Sequence, residues 1–114
     1  MIEDKPTAYR GVRRSGKATI EAQTTEGAWR ELPLRLDLWA HSPSGFEWGY
    51  GGSGPAQAAL AIVASRVNGV VAIEVHQEFK WAVVADLPTA GWELTADKVD
   101  GIISQIRAGE VFHP

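Results

Sequence analysis

The stretch Val70-Val71-Ala72-Ile73-Glu74-Val75-His76-Gln77-Glu78-Phe79-Lys80-Trp81-Ala82-Val83-Val84-Ala85-Asp86-Leu87 decides the fold, because it supports two incompatible readings. Its opening, Val70 to Ile73, is rich in β-branched residues and reads as a buried strand. Taken whole, Val71, Val75, Phe79, Ala82, Val83 and Leu87 form one stripe at helical spacing, and Glu74, Gln77, Glu78 and Lys80 fall mostly off it. Strand pairing gives no reason for that period. The spacing predicts a helix over about 71–86, which Pro88 ends by pushing the preceding residue out of the helical region.

Downstream, Gly91-Trp92-Glu93-Leu94 leads to Thr95, a helix-capping residue type. Asp97 and Asp100 suit the positive end of a helix, Val99, Ile102, Ile103 and Ile106 make its apolar face, and Gly109 closes it. Upstream lies Gly45-Phe46-Glu47-Trp48-Gly49-Tyr50-Gly51-Gly52-Ser53-Gly54-Pro55-Ala56-Gln57, dense in glycine and aromatics. A first helix opens there, with Ser53 or Gly54 as cap and Pro55 in the first turn, where its missing N–H costs nothing. With Gly54 as cap, Gln57 falls at the third helical position and reaches back to it. Ala56, Ala59, Leu60, Val63 and Val67 share one face, and Asn68-Gly69 is expected to stop the helix.

The first third of the chain alternates instead. Tyr9–Arg14 and Ala18–Gln23 read as strands around a Ser15-Gly16 turn, a β-hairpin. After Thr24-Thr25-Glu26-Gly27, residues 28–39 hold a third extended segment in which Leu34, Leu36 and Leu38 alternate with Arg35, Asp37 and Trp39. Residues 1–7 read as a flexible lead-in. Strands first and helices after predict a single α+β domain over 1–114: a small antiparallel sheet of about three strands packed against about three C-terminal helices.

Composition narrows the function classes. No run of about 18 apolar residues is present, so no membrane helix is expected. The N-terminus, Met1-Ile2-Glu3-Asp4-Lys5-Pro6, is polar and acidic, unlike a signal peptide. Cysteine is absent, which fits a cytoplasmic protein and excludes disulfides and thiolate metal sites. A net charge of −3 argues against general nucleic-acid binding. Arg10, Arg13, Arg14 and Lys17 are a local exception, read as a solvated strand face or as a patch for an acidic partner or phosphate. No metal-ligand spacing is present, and no cofactor is implied.

The Gly-rich loop carries the candidate chemistry. Gly49-Tyr50-Gly51-Gly52-Ser53-Gly54 spells G-x-G-x-x-G, but no apolar strand precedes it and the chain is too short for two mononucleotide-binding halves. A more modest reading remains. Amides of Gly51, Gly52, Ser53 and Gly54 at a helix N-terminus suit an anion, with Ser53 and Gln57 adding contacts and Trp48 or Tyr50 stacking on a base. Alternatively, the glycines only let a tight loop tuck under the sheet. His41 and His76 are free to meet in space, which adds His76 to the candidate ligand-binding set, while His113 lies beside the C-terminus. Ser53 and His76 with Glu47 or Asp37 are the residue types of a hydrolytic triad, without the sequence context of a nucleophile elbow.

Residues 42–60, Ser42-Pro43-Ser44-Gly45-Phe46-Glu47-Trp48-Gly49-Tyr50-Gly51-Gly52-Ser53-Gly54-Pro55-Ala56-Gln57-Ala58-Ala59-Leu60, resemble the signature of a family of small uncharacterised proteins spread through bacteria, their phages and plasmids. A second block is similar too: His76-Gln77-Glu78-Phe79-Lys80, then Val83 to Pro88 and Trp92-Glu93-Leu94-Thr95, with His76 where the family usually has tyrosine. The resemblance implies a compact domain and a helix over 71–86, and brings no established activity. Its mobile-element setting implies an accessory or anti-defence role. The expectation is therefore a non-enzymatic binding protein that holds a small anionic ligand, such as a nucleotide, at Trp48, Tyr50, Gly51, Gly52, Ser53, Gly54, Gln57 and His76. The alternatives are an inhibitor that contacts a host protein and a small Ser/His hydrolase.

Overall fold

The computed structural model describes residues 5–109; His113, the tail 110–114 and residues 1–4 of the lead-in lie outside them. Strands β1 (Ala8–Arg14) and β2 (Lys17–Gln23) form the expected hairpin. Its turn residues Ser15 and Gly16 both have positive φ, which matches the twist of the paired strands. Next come β3 (Trp29–Glu31), helix α1 (Ser53–Ala64), helix α2 (Gly69–Ala82), a short 3₁₀ turn (Val84–Asp86), β4 (Trp92–Thr95) and helix α3 (Ala96–Arg107). The described strands form one antiparallel sheet in the order β3-β2-β1-β4. The fold is α+β, a sheet with helices packed on it.

The period-two pattern of the hairpin sets which face is covered. Tyr9 pairs with Ala22 and Gly11 with Ile20, so these residues share the inner face and are buried. The helices supply the rest of the core, including Leu60, Ile62, Val63, Phe79, Val99 and Ile103. Where the inner face ends, Tyr9 donates or accepts a 2.6 Å hydrogen bond with Ser65 Oγ, just past α1. Burial raises the pKa of its phenol.

Several local expectations are corrected. The segment 71–86 is helical, but as α2 to Ala82 followed by the 3₁₀ turn. Asn68 and Gly69 do not stop α1; the Asn68 side chain accepts from Val71 N–H and caps the start of α2. The cap of α1 is Gly52, extended and without a side-chain bond, rather than Ser53 or Gly54. The third extended segment is strand only over Trp29–Glu31. Pro33 lacks an amide for the ladder, Arg35 has φ +59°, and its carbonyl accepts from Leu38 N–H at 3.0 Å, so the leucine alternation belongs to a turn. The sheet has a fourth strand, β4, paired with β1 from Ala8↔Thr95 to Gly11↔Trp92. Thr95 caps α3 as expected, accepting from Lys98 N–H, and Gly109 (φ +89°) follows its end.

Candidate functional site

The Gly-rich loop is built on three anchors. Trp48 is 1% exposed, stands edge-on to Trp92 with ring centroids 5.5 Å apart, and donates its indole N–H to Thr89 O. Gly49, at φ +90°, donates its amide to Val84 O, a conformation and a close approach that favour glycine. Arg13 is the third anchor. Period two places it on the inner face of β1, beyond the end of the core, where its guanidinium lies 4.7 Å from the Trp48 ring centroid. It donates to both carboxylate oxygens of Glu47, at 3.1 and 3.0 Å, and to Thr89 O. The bidentate bond holds the Glu47 carboxyl below the usual range. The alternation of Tyr9, Gly11 and Arg13 was the available sequence signal that this arginine is not merely solvated.

Beyond those anchors the loop turns into α1. Gly51 lies under the Trp81 ring, so closely that a Cβ there would come within 2.0 Å of it. Among the described residues, the amides of Gly51, Gly52, Ser53 and Gly54 donate to no other group of the protein; the next amide, Ala56 N–H, bonds Gly52 O. Ser53 and Gly54 line a hollow of about 350 Å³ together with Lys17, Ser42, Ser44 and Tyr50. Ser53 is exposed and Tyr50 is 53% exposed. Glu47 also faces this hollow, its charge matched by Arg13.

Two expected site residues are occupied elsewhere. Trp48 is in the core and offers no face to a base. Gln57 is fully buried and does not reach back to the cap. Its Oε1 accepts from the amides of His41 (2.7 Å) and Ser42 (2.9 Å), and its Nε2 donates to Leu34 O (2.7 Å) and Trp39 O (2.9 Å). Its side chain therefore pins the irregular segment 34–42 onto α1.

His41 and His76 do meet, Nε2 to Nε2 at 2.9 Å. His76 Nδ1 lies 2.8 Å from Ile73 O and 3.1 Å from Ala72 O, so it carries a proton and donates. That leaves Nε2 of neutral His76 as an acceptor for His41 Nε2–H. Trp39 stacks on His41 with centroids 4.8 Å apart. Burial, with the neighbouring Lys80, lowers the pKa of both imidazoles, and His76 lowers that of His41 further. Lys80 is itself buried, its ammonium 4.4 Å from the Trp81 ring centroid. Both His76 nitrogens are engaged by His41 and the backbone, and Ser53 is not among their partners. Glu47 and Asp37 are engaged by Arg13 and Arg35.

These features define a small α+β domain whose first helix is entered through a rigidly held glycine loop. The chain belongs to the family of unknown function DUF6166, which matches residues 9–105. No curated protein and no solved structure matches it. Among the described residues, no helix is long and apolar enough to cross a membrane.

Proposed function

We propose that the protein is a non-enzymatic, cytoplasmic accessory protein that holds a small anionic ligand, such as a nucleotide, at the amino-terminal end of α1. One observation carries the reading: the run of amides from Gly51 to Gly54 has no acceptor within the described protein, and the hollow beside it gathers Lys17, Ser42, Ser44, Tyr50 and Ser53. Unpaired N–H groups and the helix dipole favour a phosphate there. Lys17, which has no acidic partner among the described residues, adds a full positive charge, and the exposed Tyr50 ring is the available face for a base. The likeness of the loop to proteins of phages and plasmids suits sequestration of a signal nucleotide.

The test is thermal unfolding with a panel of nucleotides and inorganic phosphate. A bound ligand at a hundred times its Kd stabilises by about 2.7 kcal/mol, several degrees in Tm. The Gly52→Val/Ser53→Ala variant is expected to lose that rise. Because a side chain on Gly52 meets the Tyr50 ring, the Lys17→Gln/Ser53→Ala variant, with both positions exposed, serves as the second probe. A panel in which no phosphate compound shifts Tm overturns the proposal.

A second reading has its own support. Trp39 (49% exposed), Leu36, Tyr50 and Val70 are large apolar groups left in solvent, and Trp and Tyr are residue types enriched where proteins bind one another. On this reading the protein is an inhibitor that contacts a host protein. Trp39→Ser would then break a copurifying complex without unfolding the domain, and a complex that survives the substitution removes it.

A further inference from the structure

The opposite end of α1 borders a larger cavity of about 660 Å³, within the range of small-molecule sites. Its walls are the inner face of the β2–β3 edge and the end of α1, with Ala22, Leu32, Ala61, Ala64 and Val67 as apolar floor. Its rim is cationic: Lys5, Arg30, Arg35 and Arg66 line it, against a single acid, Glu31. In a chain of net charge −3, that clustering runs against the overall balance.

The rim cations are not equivalent. Arg66 is bound bidentately by Asp100 at 2.8 Å, and Arg35 by Asp37 at 3.0 Å. Arg30 has no carboxylate partner among the described residues, and Lys5 donates only to Arg66 O at 3.1 Å. The register explains where Arg30 points. It lies opposite Ala22, and directly opposed residues project to the same face, so it is on the buried side of the edge strand, over the cavity. A helix C-terminus by itself disfavours anions. Here the carbonyls of Ala61, Ile62 and Val63 already accept from the Ser65, Arg66 and Val67 amides. The bond to Arg66 lowers the pKa of Asp100, and Lys5 lies close enough to lower it further, which leaves Arg30 as the rim cation with no carboxylate near it among the described residues.

We infer that this cavity binds an amphipathic anion with one carboxylate or phosphate head, held between Arg30 and Lys5, and an apolar body lying along Leu32, Ala61, Ala64 and Val67. The site is independent of the anion hollow at the other end of α1, a helix of 12 residues, roughly 18 Å long at the standard rise.

The experiment titrates the full chain with decanoate and with decyl phosphate, read by amide chemical shifts and calorimetry; the pair distinguishes a carboxylate head from a phosphate head. Shifts are expected at Leu32, Ala64 and Val67 and not at Gly51 to Gly54. Acetate and inorganic phosphate, which lack the body, should bind at this site at least a hundredfold more weakly. Arg30→Gln is expected to weaken decanoate or decyl phosphate about tenfold, Arg30→Lys to recover most of the loss, and Ala64→Phe to abolish binding by filling the floor. Three results overturn the inference: neither probe binds, Arg30→Gln binds unchanged, or the shifts fall at the Gly-rich loop. An inward charge also guards an edge strand against pairing with another copy. Self-association of Arg30→Gln with undiminished probe binding would assign Arg30 to that role instead and likewise overturn the inference.

Discussion

Replacing Gln57 with leucine tests the physical basis of the site most directly. The leucine nearly matches the glutamine in volume, so packing against α1 is largely kept. All four hydrogen bonds to segment 34–42 are lost, those from His41 N–H and Ser42 N–H and those to Leu34 O and Trp39 O. Each such bond contributes about 0.5–1.5 kcal/mol net, and a group left buried without a partner costs about 1–3 kcal/mol. Because segment 34–42 is partly exposed and can take up water, the expected loss is about 3–5 kcal/mol, a large share of a domain's usual 5–15 kcal/mol. Urea unfolding gives the magnitude, and hydrogen exchange at His41 and Ser42 shows whether the loss is local. Gln57→Glu sharpens the test. A carboxylate keeps the two acceptor contacts but turns oxygen toward two carbonyls, so the native state favours the protonated acid and raises its pKa. The native state then binds more protons than the unfolded chain between the two pKa values, and stability falls as pH rises through that window. If Gln57→Leu costs under about 1 kcal/mol with both amides still protected, or Gln57→Glu shows no such slope, the amide is not the pin described here.

Three further predictions concern neighbouring features. The imidazoles of His41 and His76 are held neutral, so below about pH 6.5 the unfolded chain binds more protons; stability is full above that value and falls as pH drops, and His76→Gln should flatten this slope in unfolding curves between about pH 5 and 7. Gly51→Ala drives a methyl into Trp81 and should cost about 1–3 kcal/mol, a cost that largely vanishes in a Trp81→Ala background when the cycle is measured by urea unfolding. Arg66→Ala breaks a bidentate pair in which the arginine side chain is 9% and Asp100 49% exposed, so about 1–2 kcal/mol should be lost, and Asp100→Asn should add little to it in the double variant.

How much of this was legible in the sequence depended on how local the cause was. The hairpin, α2 and the Thr95 cap rest on neighbours along the chain, and pattern alone places them. Strand β4 is short and exists because β1 pairs with it from the far end of the chain, which no local window reveals. The Leu34-Leu36-Leu38 alternation mimics a strand, yet what holds that segment is the Gln57 amide, a side chain on a later helix. The same limit applies at the site. The loop was found from its glycines, whereas Arg13 and Lys17 reach it only through tertiary folding.

The residues of the glycine loop can be divided by what packing already explains. Phe46 and Trp48 are core, Gly49 has positive φ, Gly51 lies beneath an indole, and a Cβ on Gly54 would come within 2.7 Å of Glu47 Cβ. Gln57 is consumed by the segment it pins. Stability therefore accounts for these positions without any ligand. The amides of Gly52, Ser53 and Gly54 are open as at any helix start, and the Tyr50 ring lies partly against Gly52. Stability does not account for Ser53, exposed at the first turn of α1, or for the part of the Tyr50 ring left in solvent beside the hollow. Substitutions at the exposed Lys17 and Ser53 should accordingly leave unfolding free energy within about 0.5 kcal/mol of the parent while changing ligand response. A large stability loss at Ser53→Ala would instead return the loop to pure architecture.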